Sequence, residues 1–358
     1  MAGIFGILGL NDTERVFANT VGQAVVYDGI AQLVQRYNDE LNAALAVFVE
    51  EQTENFKERY KLPGGGRLQR RGGYAASAAV KAYGGYDVAY PLEDFGAQLA
   101  DSDVALAYMT LQDINRHLDT IFAQDANTVR FELLKALLNN TQDTFVDPLH
   151  GSLTIEPLAN GDTVTYPPAL GSETEATDNH YLESGYAASA ISDTNNPFAT
   201  IRDELEEHFG AVQAGANIAA FINTAQVTKT EALTDYVDLT DRFIEPGQDA
   251  ATLFNLPGRM PGRLIGRTNG CWVFEWRWIP SAYIVAVDID APKPLKMRTD
   301  PANTGLPRGL ALVAREEKYP LESAHYRHRF GVGAGNRLNG VVMELGTGGS
   351  YSIPSGYS

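Results

Sequence analysis

Apolar positions recur at helical spacing between Gln23 and Arg59, as Ile30, Leu33, Val34, Tyr37, Leu41, Leu45 and Phe48. The opposite face is polar, with Gln35, Arg36, Asn38, Asp39, Glu40, Glu50 and Glu51. This pattern predicts an amphipathic helix laid on a core. A second stripe, Val104, Leu111, Ile114, Leu118 and Ile121, continues through Val129, Leu133, Leu134, Leu137 and Leu138 to a stop at Asn139-Asn140. Asp101 or Ser102 is its expected N-cap. Shorter helices are expected from Phe198 to Phe209 and from about Thr228 to Val237. Residues Met1 to about Gly22 show no period and read as an arm.

Strand patterns fill the rest. Leu153–Ile155 and Thr163–Tyr166 are short β-prone runs among turn residues, and Ile218–Ile222 reads as a buried strand. In the last third, Arg263–Gly266 precedes the turn signal Asn269-Gly270. Trp272, Phe274, Trp276 and Trp278 then alternate with Val273, Glu275 and Arg277, giving a strand with one aromatic and one mixed face. Tyr283–Asp288 is apolar at successive positions and predicts a strand buried on both faces. Leu310–Arg315, His325–Phe330 and Gly340–Leu345 complete the series. The chain is of the α+β class.

The stretch Lys57–Phe95 fits neither period. Pro63-Gly64-Gly65-Gly66, Gly72-Gly73 and Gly84-Gly85 interrupt it, and Tyr74, Val80, Tyr83, Tyr86, Val88 and Tyr90 are β-compatible. It reads as a two-stranded flap with almost no apolar bulk of its own, which is marginal in isolation and must lie on something else. It is also basic. Lys57, Arg59, Lys61, Arg67, Arg70, Arg71 and Lys81 face Glu58 alone until Asp87. The bland reading is a solvated positive face. The sharper one is a docking surface for an acidic patch on another copy.

Charge sharpens that contrast. The net charge over 358 residues is −17, which argues against general nucleic-acid binding and favours repulsion between free subunits. Nearly every charge from Asp143 to Glu207 is negative, ending in the cluster Asp203, Glu204, Glu206 and Glu207. The single cysteine, Cys271, excludes an intrachain disulfide and reads as a core residue. No run is long and apolar enough to span a membrane as a helix. No catalytic, cofactor-binding or metal-ligating set emerges. Gly331-Val332-Gly333-Ala334-Gly335 lacks the spacing and the following helix of a dinucleotide loop. His325 and His328, beside Arg327 and Arg329, read as surface residues.

The order of elements resembles the major capsid protein of tailed double-stranded DNA bacteriophages, the Hong Kong 97-type fold. An N-terminal arm leads to an extended loop and then to a spine helix. Arg263–Asp288 (RLIGRTNGCWVFEWRWIPSAYIVAVD) is similar to that family's paired strands, and Tyr326–Leu345 (YRHRFGVGAGNRLNGVVMEL) to its closing strands. The resemblance implies an N-terminal arm and helix at 1–56 and an extended β-hairpin loop at 57–95. It implies a peripheral domain at 96–190, an axial domain at 191–281, and peripheral return strands with the C-terminus at 282–358. Few residues precede the basic loop, so a separate scaffolding protein is expected instead of a fused one.

The function implied is structural. Subunits would form hexamers and pentamers of an icosahedral head, assembled in the host cytoplasm as part of the virion, around double-stranded DNA held without sequence-specific contacts. A portal is implied, and a decoration protein is left open. Arg67, Arg70, Arg71 and Lys81 would make contacts between subunits, and the acidic cluster of 203–207 would approach a capsomer axis. Two alternatives stand beside this reading: an encapsulin-like nanocompartment shell of the same fold, and an enzyme whose site the sequence does not reveal.

Overall fold

The computed structural model describes residues 23–62, 68, 73, 84–102, 110–169, 172, 174–209, 217–238, 260–318 and 321–358. In chain order its elements are α1 (Gln23–Leu45), β1 (Val49–Thr53), β2 (Lys57–Lys61), β3 (Gly85–Ala89), β4 (Glu93–Ser102) and α2 (Leu111–Leu138). Then come β5 (Asp143–Asp147), β6 (Gly151–Ile155), β7 (Tyr181–Glu183), α3 (Pro197–Phe209), β8 (Ile218–Ile222), α4 (Thr224–Glu231) and β9 (Val237–Asp238). The last third holds β10 (Arg263–Thr268), β11 (Cys271–Glu275), β12 (Tyr283–Asp288), β13 (Leu295–Arg298), β14 (Ala311–Lys318), β15 (Leu321–Ala334) and β16 (Val341–Glu344). They fall into two compact units. One gathers Met1–Asn42, Glu93–Arg130 and Asp300–Phe330; the other gathers Ala43–Leu92, Phe131–Thr299 and Gly331–Ser358.

In the first unit, β4 runs antiparallel to the leading part of β15, from Glu93 opposite Phe330 to Ser102 opposite Leu321. On the other side of β15, β14 pairs antiparallel as well. The stripes predicted for both helices meet here. Ile30 and Val34 of α1 and Leu118 and Ile121 of α2 bury themselves with Leu310, Ala324 and Tyr326. A polar contact is sealed among them. The Tyr37 hydroxyl donates to Asp125 Oδ2 at 2.7 Å, and His328 Nδ1 lies 2.8 Å from Asp125 Oδ1. His328 is 4% exposed, so its expected place on the surface is corrected. The residue alternates inward along β15, and Asp125 satisfies its imidazole.

The second unit is built on a seven-stranded sheet in the order β7-β16-β12-β8-β11-β10-β9. β8 and β12 are buried at every position, as their unbroken apolar runs predict. One face packs against α3 through Phe198, Ile201 and Leu205. The Asn269-Gly270 turn joins β10 to β11 with both residues at positive φ (46° and 83°), a geometry that asparagine and glycine tolerate. A separate ladder in this unit pairs β1 parallel to β13, and β13 antiparallel to the end of β15.

Several boundaries differ from expectation. The first helix ends at Leu45 instead of running to Arg59, and β1 follows it. Asp101 and Ser102 belong to β4, so they do not cap the long helix. Its cap is Thr110, whose hydroxyl and backbone N–H both reach Asp113. Thr163–Tyr166 makes only an isolated bridge, Tyr166 to Ala176. The fourth helix starts at Thr224 and ends at Glu231, earlier than expected. The aromatic strand ends at Glu275 and is buried on both faces, because Cys271 and Val273 meet α3 while Phe274 stacks on Phe221. Gly331 and Gly333 lie inside β15. A Cβ on Gly331 would collide with the Pro91 carbonyl oxygen, and one on Gly333 would stand 2.9 Å from the Tyr90 ring. Close packing, not phosphate binding, accounts for these glycines.

Candidate functional site

The root of the extended loop lies within the second unit. β2 and β3 pair antiparallel from Lys57 opposite Ala89 to Lys61 opposite Gly85, so the intervening chain leaves and returns at one place. This is the hairpin base expected of the flap. Arg67, Arg70, Arg71 and Lys81, the proposed contact residues, lie outside the described residues, as do Tyr74, Val80 and Tyr83.

Alternation along β2 and β3 gives the root two different faces. On the exposed face Asp87 sits between two cations, 2.8 Å from Lys57 Nζ and 2.5 Å from Arg59 Nε. Hydrogen bonds from Arg59 and Lys57 hold its carboxyl well below the usual carboxylate range. On the inner face Glu58 gathers donors. Thr53, Asn55, Tyr60, Tyr90 and Lys296 all donate to its carboxylate, at 3.0 to 3.2 Å. Burial pushes Glu58 up, but the bonds from Asn55, Lys296 and Tyr60 outweigh it and bring its pKa to about 2. Lys296 also reaches Glu51 at 2.6 Å, which ties β1 and β13 to the root.

Beneath this polar layer the root is anchored in a small core of Tyr86, Val88, Tyr90, Ala159, Tyr166 and Leu338. Tyr60 stacks on Tyr86, with centroids 5.2 Å apart, and the Tyr86 hydroxyl donates to the Gly335 carbonyl at 2.9 Å. The Arg337 guanidinium, wholly buried, lies 5.5 Å from the Tyr86 ring centroid. It donates to the carbonyls of Pro157 and Leu158 and pairs with Asp162 at 2.8 Å. Arg298, also buried, donates to the Tyr90 carbonyl and to Asp147, each at 2.9 Å. Gly85 lets β3 close up beside β2, since a Cβ there would stand 2.5 Å from the Tyr60 carbonyl oxygen. Paired charges and bonded phenols of this kind hold a segment in place.

Sequence reasoning singled out none of Glu58, Lys296, Arg298 and Arg337 as functional. For Lys296, Arg298 and Arg337 the partners lie as far as 251 residues away along the chain, as for Arg337 and Tyr86, so no local spacing betrays them. The only local sign was the paired tyrosines of β2 and β3.

The acidic run on α3 does not form one surface. Asp203 is exposed and pairs with Arg202 at 3.0 Å, whereas Glu204 and Glu207 turn inward toward Asp178 and His208. Burial, with Asp178 and Glu207 close by, pushes Glu204 up to about 7. Asp203, Glu204 and Glu207 therefore do not share one exposed acidic face.

No protein-family model and no curated protein matches the chain. Solved structures do. One titled Mycobacterium phage Patience superposes with a TM-score of 0.69 at 19% identity, covering 100% of this chain and 99% of the other. The capsid of a native GTA particle aligns at a TM-score of 0.49 and 16% identity over 85% of this chain and 90% of its own. The mature capsid of bacteriophage PhiM1 aligns at 0.49 and 10% over 84% and 86%. The match to the Patience structure runs from end to end of both chains. The likeness is one of fold, and the Hong Kong 97-type fold expected from the sequence is borne out.

Proposed function

We propose that this chain is a structural shell subunit, the major capsid protein of a tailed double-stranded DNA phage. The observation that carries the reading is the match to the Patience structure, which covers 100% of this chain and 99% of the other. The anchored root of β2 and β3 agrees with it. A fold that commits Glu58, Lys296, Arg298 and Arg337 to fixing both ends of a basic, core-poor loop is suited to presenting that loop to a neighbour. In this reading the axial domain occupies 191–281 and the peripheral domain 96–190 and 282–358. Subunits associate into hexamers and pentamers and use a separate scaffolding protein and a portal. The DNA inside is enclosed and not read.

Arg67, Arg70, Arg71 and Lys81 meet acidic surface on the adjacent copy. Each exposed ion pair contributes only about 0.2–1 kcal/mol, but many copies in a closed shell act together. The test replaces Arg70 and Arg71 by glutamate. Circular dichroism of the double variant should match the parent, while sedimentation and negative-stain microscopy should show shells lost or sharply reduced. Normal shells with a defect only in DNA retention would place the loop's charge against the genome. Particles from the unaltered chain that carry a cargo protein and no DNA would point to a nanocompartment.

A further inference from the structure

Two histidines and three acids of the second unit meet where α3 ends. Asp178 and His180 lie on the segment that enters β7, and Glu204, Glu207 and His208 lie on the last two turns of α3. His180 Nε2 is 2.7 Å from Asp178 Oδ2, and His208 Nε2 is 3.1 Å from the same oxygen. His208 Nε2 also stands 3.1 Å from Glu207 Oε1. The two imidazole side chains are 0% and 6% exposed. The Tyr166 ring packs beside His208 with centroids 6.4 Å apart, and Tyr166 is itself under the charges of Arg337 and Asp162. Arg202, the one lysine or arginine of α3, points to Asn269, Asp203 and Glu206.

Hydrogen-bond chemistry sets a proton count for this junction. His180 Nδ1 is 2.9 Å from the Gly340 carbonyl oxygen, which can only accept, and its Nε2 faces a carboxylate oxygen. Both contacts are hydrogen bonds only when the His180–Asp178 pair holds one proton more than a neutral imidazole beside a carboxylate. His208 lies in the last turn of its helix, where positive charge is favoured. Burial alone would lower its imidazole, but the bond to Asp178 and the charges of Asp178 and Glu207 raise it. Burial, with Asp178 and Glu207 adding to it, raises Glu204 to about 7 against the pull of the two imidazoles. Both groups hold protons more tightly here than in an open chain. Their contribution is therefore present in acid and lost as pH rises through and above about 7. Asp178 runs the other way. Burial opposes its charge, but bonds from both imidazoles hold it well below the usual carboxylate range, so only strong acid weakens it.

We propose that this junction is a proton-dependent latch, which clamps the end of α3 to the segment entering β7 in mild acid and loosens in mild alkali. One side of the latch is fixed. The His180 carbonyl accepts from the Val342 N–H at 2.9 Å and its ring reaches Gly340, so the residue is held by the sheet. The other side can yield. α3 is packed on the sheet by Phe198, Ile201 and Leu205, whereas its last turn meets the segment through Glu207 and His208. Loss of protons leaves Asp178, Glu204 and Glu207 repelling one another in a half-buried space.

The test is hydrogen exchange of the full chain, read by mass spectrometry from about pH 5.5 to 8.5. Rates are corrected for the intrinsic effect of pH, and sedimentation confirms one assembly state throughout. Peptides covering 176–182 and 203–209 should lose about tenfold in protection between about pH 6.5 and 8, as expected when opening releases about one proton. Peptides covering β8 and β12 should keep theirs. Glu204→Gln, uncharged at every pH and of the same size, should hold protection at pH 8 and flatten the profile. His208→Gln keeps a donor for Asp178 but gains no charge, and should bring protection at pH 6 down toward the parental value at pH 8. Corrected protection of the junction that does not change with pH in the unaltered chain overturns the proposal. So does survival of the parental profile in both folded variants, since the protons would then sit elsewhere.

Discussion

Trp276 is 7% exposed and packs against two rings of the second unit, Phe48 and Phe221, each with its centroid 5.9 Å away. Trp276→Ala empties that space, and the expected loss is about 3–5 kcal/mol. Urea denaturation of the purified variant measures it; a variant that melts like the parent but cannot assemble would move Trp276 from core to interface. Glu58 gives a pH dependence. Its folded pKa of about 2 lies below the unfolded value of about 4.3. The carboxylate therefore stabilises the fold fully above that unfolded value, and its contribution drains away as pH falls toward 2. Because the group is partly exposed, the expected contribution at pH 7 is discounted to about 1 kcal/mol. Glu58→Gln should unfold at lower urea than the parent at pH 7, and the gap should narrow at pH 3. A gap that does not change with pH would show that the carboxylate's charge is not what the root uses. Neither side chain stands equally clear in the sequence. Trp276 announces itself by aromatic alternation, whereas Glu58 looks like one surface acid among many until Tyr90 and Lys296 are brought to it from farther along the chain.

The long helix α2 shows how far local pattern carries at the scale of elements. Its stripe from Leu111 to Leu138 and its stop at Asn139 were legible, because burial on one side imposes a period of 3.6. Its start was not. Asp101 and Ser102 are good caps by residue type but lie in β4, where pairing with β15 takes their backbone groups. Thr110 and Asp113 carry the real signal, the spacing of a capping box with aspartate in place of glutamate. Thr110→Ala should cost about 1 kcal/mol and Thr110→Ser much less, a difference that thermal melts followed at 222 nm would register. Equal melting of all three proteins would mean that tertiary packing alone sets the helix start. The hairpin β2–β3 was legible from its glycines and tyrosines. Its anchoring was not, since Arg337 and Arg298 are buried cations whose acceptors are loop carbonyls and single acids elsewhere in the chain.

For the whole molecule, the net charge of −17 sets the conditions under which copies can meet. Raising ionic strength from about 0.01 to 0.15 M shortens the screening length from about 30 to 8 Å. Repulsion between acidic surfaces should fade over that range, so assembly followed by light scattering should quicken. Assembly that is fastest at the lowest salt would instead assign the controlling term to attraction by the basic loop. The sheet order also bears on time. β16, at Val341–Glu344, lies between β7 and β12, second from one edge of the seven-stranded sheet. During synthesis, β7 and β12 leave the ribosome long before the strand that joins them, and the first unit also waits for its segment ending at Phe330. Such distant pairings are slow to form. A half-made subunit keeps the edge of β12 open until β16 has been synthesised.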